Sequence, residues 1–190
     1  MIHHQVVILA AGKGSRMNSS LPKPMHLVND VPMLDTIIAK AKKFTPDIVL
    51  VHSAALKNYL TNYNYCALVL QPEPPLGTAH AVLCALQELD PAKYITVLYA
   101  DHPFIDQQII ADVAKQNILG KYDCTTLASI QQEPNNYGRL ICNGPEVSKI
   151  VEFKNLTLEQ QKITLCNSAV MSFAPGILHQ FLPMLMQQDK

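Results

Sequence analysis

A glycine-rich loop, Ala10-Ala11-Gly12-Lys13-Gly14-Ser15-Arg16-Met17, follows directly on the apolar run Val6 to Ala10. Glycines let backbone N–H groups approach an anion closely, so such a loop after the first strand of an α/β sheet is suited to phosphate. Arg16 lies just past the glycines, and Lys23 follows within Leu21-Pro22-Lys23-Pro24. A guanidinium takes phosphate oxygens as a fork, while an ammonium acts as a compact point charge. The prolines on either side stiffen the backbone around Lys23. Two fixed cations beside a glycine loop suit a polyphosphate. Two familiar templates fail. The dinucleotide pattern G-x-G-x-x-G requires a small third residue, where Met17 stands, and an acidic end to the second strand, where His52 stands. The Walker pattern requires Gly-Lys-Ser/Thr beyond its first Gly, and four residues after Gly12 the chain has Arg16 instead. A Gly-x-Gly alone reads equally well as a tight turn.

The elements that must position this loop alternate between two periodicities. Val6 to Ala10 and Asp47 to His52 are short β-branched runs, the mark of buried strands. Cys66 to Leu70 and Tyr94 to Tyr99 read as the third and fourth strands. Leu34, Ile37, Ile38 and Ala41 repeat at helical spacing, with Pro32 as a first-turn residue. Ala55 to Tyr63, Thr78 to Leu89 and Asp106 to Leu119 read as further helices, the last closed by Gly120. Short strands then follow one another at Cys124 to Ile130, Arg139 to Cys142, Val147 to Glu152 and Leu165 to Phe173, before a last helix near Pro175. The first two thirds therefore predict βα units on a parallel sheet, and the last third an antiparallel or mixed extension.

The stretch LAAGKGSRM…LPKPMH resembles the signature loop of the sugar-nucleotide pyrophosphorylases, and most closely the bacterial UDP-N-acetylglucosamine pyrophosphorylases. The resemblance continues in family order through Gln71 with Leu76-Gly77-Thr78-Ala79-His80-Ala81, then Leu98-Tyr99-Ala100-Asp101-His102-Pro103. It goes on through Tyr137-Gly138-Arg139, Ile150-Val151-Glu152 and Asn167-Ser168-Ala169, and so covers nearly the whole chain. It implies a Rossmann-like α/β fold with a mixed, mostly parallel sheet flanked by helices. It implies transfer of UMP from UTP to N-acetylglucosamine-1-phosphate, with Mg²⁺ as cofactor. By the same resemblance Leu9, Ala10, Ala11, Gly12, Gly14 and Ser15 would hold the nucleotide, with Arg16 on its phosphates and Lys23 bridging both substrates. Gln71, Gly77 and Thr78 would read the uracil, and Asp101 would bind Mg²⁺. Tyr99, Ala100, Gly138, Glu152 and Asn167 would bind the sugar. The place of Asp101 is independently sensible, because ligands sit outside the carboxyl ends of parallel strands.

The chain departs from the family at three points. Tyr-Gly-Asp is Tyr99-Ala100-Asp101, and Asn-Thr-Gly is Asn167-Ser168-Ala169. The family's catalytic domain also runs on for some tens of residues, with an Asn that joins the Asp on the metal, and a β-helix acyltransferase domain usually follows. The expectation is one domain over 1–190, with a nucleotide-binding part at 1–120, a sugar-binding part at 121–190, a short C-terminal end and no β-helix. The alternatives are a weakly active nucleotide-binding homologue, or a nucleotidyltransferase for another nucleotide or sugar phosphate. A homo-oligomer, or a partner completing the C-terminal edge, is a further expectation.

The remaining features bound these readings. Among 190 residues, 15 Lys and Arg balance 15 Asp and Glu, which disfavours a nucleic-acid binder. Residues 1–60 nevertheless hold seven basic against three acidic side chains, in keeping with an anion site near the N-terminus or a solvated helix end at Lys40, Lys42 and Lys43. No apolar run is long enough to span a membrane and no cleavage site marks a leader, so the expected location is cytoplasmic. Cys66, Cys84, Cys124, Cys142 and Cys166 each sit in an apolar run and read as buried reduced thiols. Taken singly, Asp101 also reads as a turn residue, Glu152 as a solvated strand residue and Asn167 as a turn or bulge former. His26 and His80 read as packing or hydrogen-bonding groups, His3 and His4 as an exposed start, and Met184 and Met186 as core or interface filler.

Overall fold

A computed structural model of the protein describes residues 3–12, 14, 17–132 and 135–188. In chain order the elements are β1 (His4–Ala10), β2 (Leu27–Val28), β3 (Val31–Pro32), α1 (Met33–Phe44), β4 (Ile48–His52), α2 (Ala54–Lys57) and β5 (Ala67–Leu70). Then come α3 (Thr78–Cys84), β6 (Tyr94–Tyr99), α4 (Gln107–Gly120), β7 (Cys124–Ile130), β8 (Arg139–Asn143), β9 (Glu146–Val151), α5 (Leu158–Gln161), β10 (Leu165–Phe173) and α6 (Ile177–Gln188). They fall into two compact units. One holds the described residues up to Thr125 and those from Met171 onward; the other is Thr126–Val170.

In the first unit the strand order is β5-β4-β1-β6, followed by the last residues of β10. The first four strands are parallel, and Met171 to Phe173 run antiparallel to β6. β1 and β4 are central strands buried on both faces, which is why their sequences are continuously apolar. Val7, Leu9, Val49, Val51, Ile95 and Val97 pack with Ala81 and Val82 of α3, with Ala85 just after it, and with Leu178 and Leu182 of α6. The alternate residues, among them Val6, Ile8, Leu50 and Leu98, are fully buried, and α1 and α4 pack against β1, β6 and each other. The sheet is thus mixed, mostly parallel and flanked by helices, as the motifs implied.

A buried polar chain ties the antiparallel strand in place. Thr96 Oγ1 donates to Ser172 Oγ (3.5 Å), Ser172 Oγ donates to Asn117 Oδ1 (3.4 Å), and Asn117 Nδ2 donates to the Tyr122 carbonyl (2.8 Å). Asn117 is wholly buried, so these bonds satisfy groups that would otherwise be costly.

Several expectations are corrected. The helix expected over Ala55 to Tyr63 is only Ala54–Lys57, capped by Ser53, whose hydroxyl accepts from the Leu56 N–H. Single turns replace the rest, with Tyr59, Leu60 and Tyr63 donating to carbonyls three residues back. Asn58, Asn62 and Asn64 favour such turns over helix. Pro32 stands before α1, paired with Leu27 across a two-residue hairpin the sequence reading missed. Its turn residues Asn29 and Asp30 both have positive φ (51° and 62°), the pattern of a type I′ turn. α4 is closed by Lys121 in the left-handed region rather than by Gly120. His3 is exposed, but His4 is half-buried, 4.9 Å from the Phe44 ring and 5.6 Å from the Tyr94 ring. Only Cys66 and Cys166 are buried; Cys84 is half-buried, and Cys124 and Cys142 are exposed because their strands have solvated faces. Met184 is exposed, not core, and the Met186 side chain lies outside the described residues.

The second unit is built on the β8–β9 hairpin, with a register irregularity between Ile141 and Cys142. The first part of β10 pairs with β8 at Cys166 and Arg139. Arg139 is buried, and its Nη1 donates to Asn135 Oδ1 at 2.8 Å and to the Tyr137 carbonyl.

Candidate functional site

The site of the first unit is a cleft at the carboxyl ends of its parallel strands. The registers Ala10 with His52 and Leu9 with Tyr99 bring three strand ends level. Chain segments leaving that edge form the cleft, whose lining includes Leu9 to Gly12, Lys23, Gln71, Gly77, Thr78 and Tyr99 to Asp101. Eleven positions singled out in the sequence therefore converge on one surface. Pro24, Pro75 and Ala81 also line it and were not foreseen. Their signal was present: each is a near neighbour in sequence of a residue that was.

Gly14 is set by its backbone. Its φ is +60°, and a Cβ there would stand 2.8 Å from Lys23 Cβ. The glycine thus lets the loop pass close against the lysine stem. Lys13, Ser15 and Arg16 lie outside the described residues, so the predicted phosphate grip of Ser15 and Arg16 has no geometry here. Lys23 opens a short 3-10 turn (Lys23–Met25) between its flanking prolines. The His26 ring bonds the Leu21 carbonyl (3.2 Å), and the His26 carbonyl accepts from the Met33 N–H at the start of α1. The lysine therefore projects from a segment anchored at both ends.

Lys23 Nζ donates to Asp101 Oδ2 at 2.6 Å, with both side chains about one third exposed. The two lie 78 positions apart, so no local signal could have paired them. Asp101 follows β6 in a turn whose Ala100 N–H donates to the Leu9 carbonyl (3.0 Å). The N-cap of α4 is Asp106, which leaves the Asp101 carboxylate available to the cleft. His102 Nε2 is 3.9 Å from Asp101 Oδ1, and its ring stacks on Tyr99 at 5.8 Å. Tyr99 OH donates to Thr78 Oγ1 at 3.5 Å, joining the β6 end to the α3 start.

Gln71 is buried where the chain leaves β5, and its N–H donates to the His52 carbonyl (2.9 Å). Its amide nitrogen donates to the Gly77 carbonyl at 3.3 Å and lies 3.2 Å from His80 Nδ1. Gly77 has φ +99°, a conformation glycine reaches freely, and precedes the first residue of α3.

The second unit brings together the other three predicted residues by itself. The Gly138 carbonyl accepts from the Asn167 N–H (2.9 Å), and Thr126 Oγ1 donates to Asn167 Oδ1 (2.9 Å). A Cβ on Gly138 would meet Ile150 Cγ2 at 3.3 Å and Glu152 Oε1 at 3.6 Å. Gly138, Glu152 and Asn167 therefore form one local cluster.

The profile of the MobA-like NTP transferase domain matches residues 6–143. The chain belongs to that family. The chain is also similar to individual curated proteins. It is 36% identical over 186 residues to the bifunctional protein GlmU of Paracoccus denitrificans, covering 95% of this chain and 41% of that protein. It is 37% identical over 172 residues to GlmU of a Ruegeria species, covering 88% of this chain and 38% of that protein. The chain thus spans about two fifths of the length of these relatives. Its fold matches the crystal structure of a putative glucose-1-phosphate thymidylyltransferase from Bacillus anthracis with a TM-score of 0.72. That likeness covers 93% of this chain and 74% of the other at 14% identity. The resemblance read from the motifs is borne out: this is a GlmU-like nucleotidyltransferase domain. No helix among the described residues is long and apolar enough to cross a membrane.

Proposed function

We propose that the protein transfers UMP from UTP to N-acetylglucosamine-1-phosphate, releasing pyrophosphate. The observation that carries this reading is the convergence of the glycine loop, the Lys23–Asp101 pair and the Gln71–Gly77–Thr78 segment on one cleft. An oxygen of the sugar phosphate attacks the α-phosphorus of UTP. The new P–O bond forms as the bond to the bridging oxygen breaks, and pyrophosphate leaves with that electron pair. The nucleophile is already an anion, so no general base is required. What remains for the protein is alignment and neutralisation of charge. Lys23 supplies a cation at the cleft. Arg16 is assigned to the phosphates by the family resemblance. Gln71 and the backbone at Gly77 and Thr78 take the base; the family resemblance assigns Tyr99 and Ala100 of the first unit, and Gly138, Glu152 and Asn167 of the second, to the sugar.

The donor set fits a hard divalent cation held weakly. Among the described residues no three His, Cys, Asp or Glu side chains cluster as metal ligands. Asp101 offers one carboxylate, the pattern of Mg²⁺ bound through one carboxylate, substrate phosphates and water. Bound there, Mg²⁺ would add neutralising charge on the phosphates. Lys23 holds the same carboxylate in place at 2.6 Å.

Pyrophosphate release from UTP, Mg²⁺ and a panel of sugar-1-phosphates, with CTP, GTP and dTTP as alternatives, tests the reading. Turnover that is fastest with UTP and N-acetylglucosamine-1-phosphate is expected. Release with no nucleotide and sugar in any combination overturns it, and calorimetric UTP binding without turnover would leave a nucleotide-binding homologue.

A further inference from the structure

His80 lies beside the cleft on α3, and neither the family motifs nor the proposed chemistry assigns it a role. Its surroundings fix its protonation pattern. The Gly77 carbonyl can only accept, so the Gln71 group 3.3 Å from it is the amide NH₂ and not the amide oxygen. That NH₂ lies 3.2 Å from His80 Nδ1, which must therefore be an acceptor. Leu76 N–H, a second obligate donor, points at the same nitrogen from 3.4 Å. Two donors on one ring nitrogen leave it no proton. The neutral imidazole thus carries its hydrogen on Nε2, which faces Cys84 Sγ at 3.8 Å. Burial pushes the Cys84 thiol up, so the sulfur stays protonated and serves as a weak acceptor.

The consequence falls on Gln71. Both hydrogens of its NH₂ are occupied, one by Gly77 and one by His80. Among the described residues no hydrogen bond reaches its Oε1. A glutamine offers a ligand either a donor or an acceptor according to which way its amide is turned. Here the donor end is tied down, and the end left for a ligand is the acceptor. An acceptor suits a base edge that presents an N–H, such as the imide of a uracil. The Leu76 contact adds a second effect, because it fixes the loop just before Gly77, whose backbone approaches the same cleft.

We propose that His80, in its Nε2-protonated neutral form, is the positioning residue for nucleobase selection: it locks the Gln71 amide so that only its oxygen is offered to the base. The inference rests on the reading that this cleft takes a nucleotide. His80 touches no substrate and acts through Gln71 and the Leu76–Gly77 backbone.

The two possible substitutes separate this role from simple packing. Asparagine places Oδ1 where Nδ1 stands and keeps the acceptor; leucine keeps the bulk and removes it. UTP and CTP binding in Mg²⁺ buffer is measured by calorimetry on the whole chain, with thermal midpoints recorded alongside. His80→Leu is expected to weaken UTP binding about tenfold, the worth of one well-made hydrogen bond, and to narrow the preference for UTP over CTP. His80→Asn is expected to stay within about threefold of the wild type, less than half of such a bond. Unchanged affinity and preference in His80→Leu, or an equal loss in a folded His80→Asn, overturns the proposal. ¹⁵N NMR of the ligand-free wild type reads the tautomer directly, and a proton on Nδ1 overturns it even if the variants fail to fold. A wild type that binds no nucleotide at all overturns the proposed function and this inference with it. Binding with indifferent variants overturns this inference alone.

Discussion

Gly14 shows how one atom can matter at this site. Its φ of +60° disfavours any side chain, and a Cβ would stand 2.8 Å from the stem of Lys23. Gly14→Ala should therefore cost about 1–2 kcal/mol from the left-handed backbone alone and push Lys23 away from Asp101. Differential scanning calorimetry checks the first effect and pyrophosphate release the second; activity should fall further than stability explains. Lys23 carries the larger prediction. Lys23→Ala removes the cation and leaves Asp101 without its ion-pair partner, so turnover should drop by about two to three orders of magnitude. Lys23→Arg should not restore it fully, because a planar fork does not reproduce a compact ammonium at 2.6 Å. Steady-state rates of the two variants decide the point. Which residues line the cleft was largely legible in the sequence, since eleven of its lining positions belong to the motifs singled out there. Partnership was not. Lys23 and Asp101 meet only when β1 and β6 pair, and His80 gains its task only where α3 turns back on the end of β5.

Strands were read well, while α3 stops at Cys84, with only a 3-10 turn (Leu86–Glu88) in the rest of the helix expected to Leu89. β6, β7 and β10 have the expected limits, and β1 and β4 differ by a residue or two at their starts. Elements with little core to face were read poorly. α2 stops after four residues, and the β2–β3 hairpin is two residues a side, too short to show any periodicity. The start of β1 carries a pH prediction. Burial lowers the His4 pKa, and His4 Nδ1 is buried with no hydrogen-bond partner among the described residues. In the unfolded chain an imidazole titrates near ~6.5. Below that pH the unfolded state binds a proton that the folded state resists, so stability falls as the solution is acidified. Thermal midpoints should therefore decline between about pH 7 and pH 5 more steeply in the wild type than in His4→Phe, which keeps an aromatic ring beside Phe44 and Tyr94. Parallel curves for the two proteins would contradict this.

At the scale of the whole molecule, the two units make separable demands. Leu50 is wholly buried in the central sheet, and Leu50→Ala should cost about 3 kcal/mol, measured as a shift in the urea midpoint. In the second unit, Glu152→Ala and Asn167→Ala should raise KM for the sugar phosphate about tenfold while leaving KM for UTP nearly unchanged, the loss of about one hydrogen bond each. Equal effects on both substrates would remove the sugar from this unit. The sequence by itself determined the family and the sheet-forming runs and singled out the residues that line the cleft, since strand burial and motif identity are both carried by short contiguous stretches. Only the tertiary structure decided which cysteines are covered, that His4 is half-buried beside two aromatic rings, that Lys23 holds Asp101, and which end of the Gln71 amide is tied down. Each of these depends on segments tens of residues apart meeting at a few ångströms, and local pattern carries no record of that.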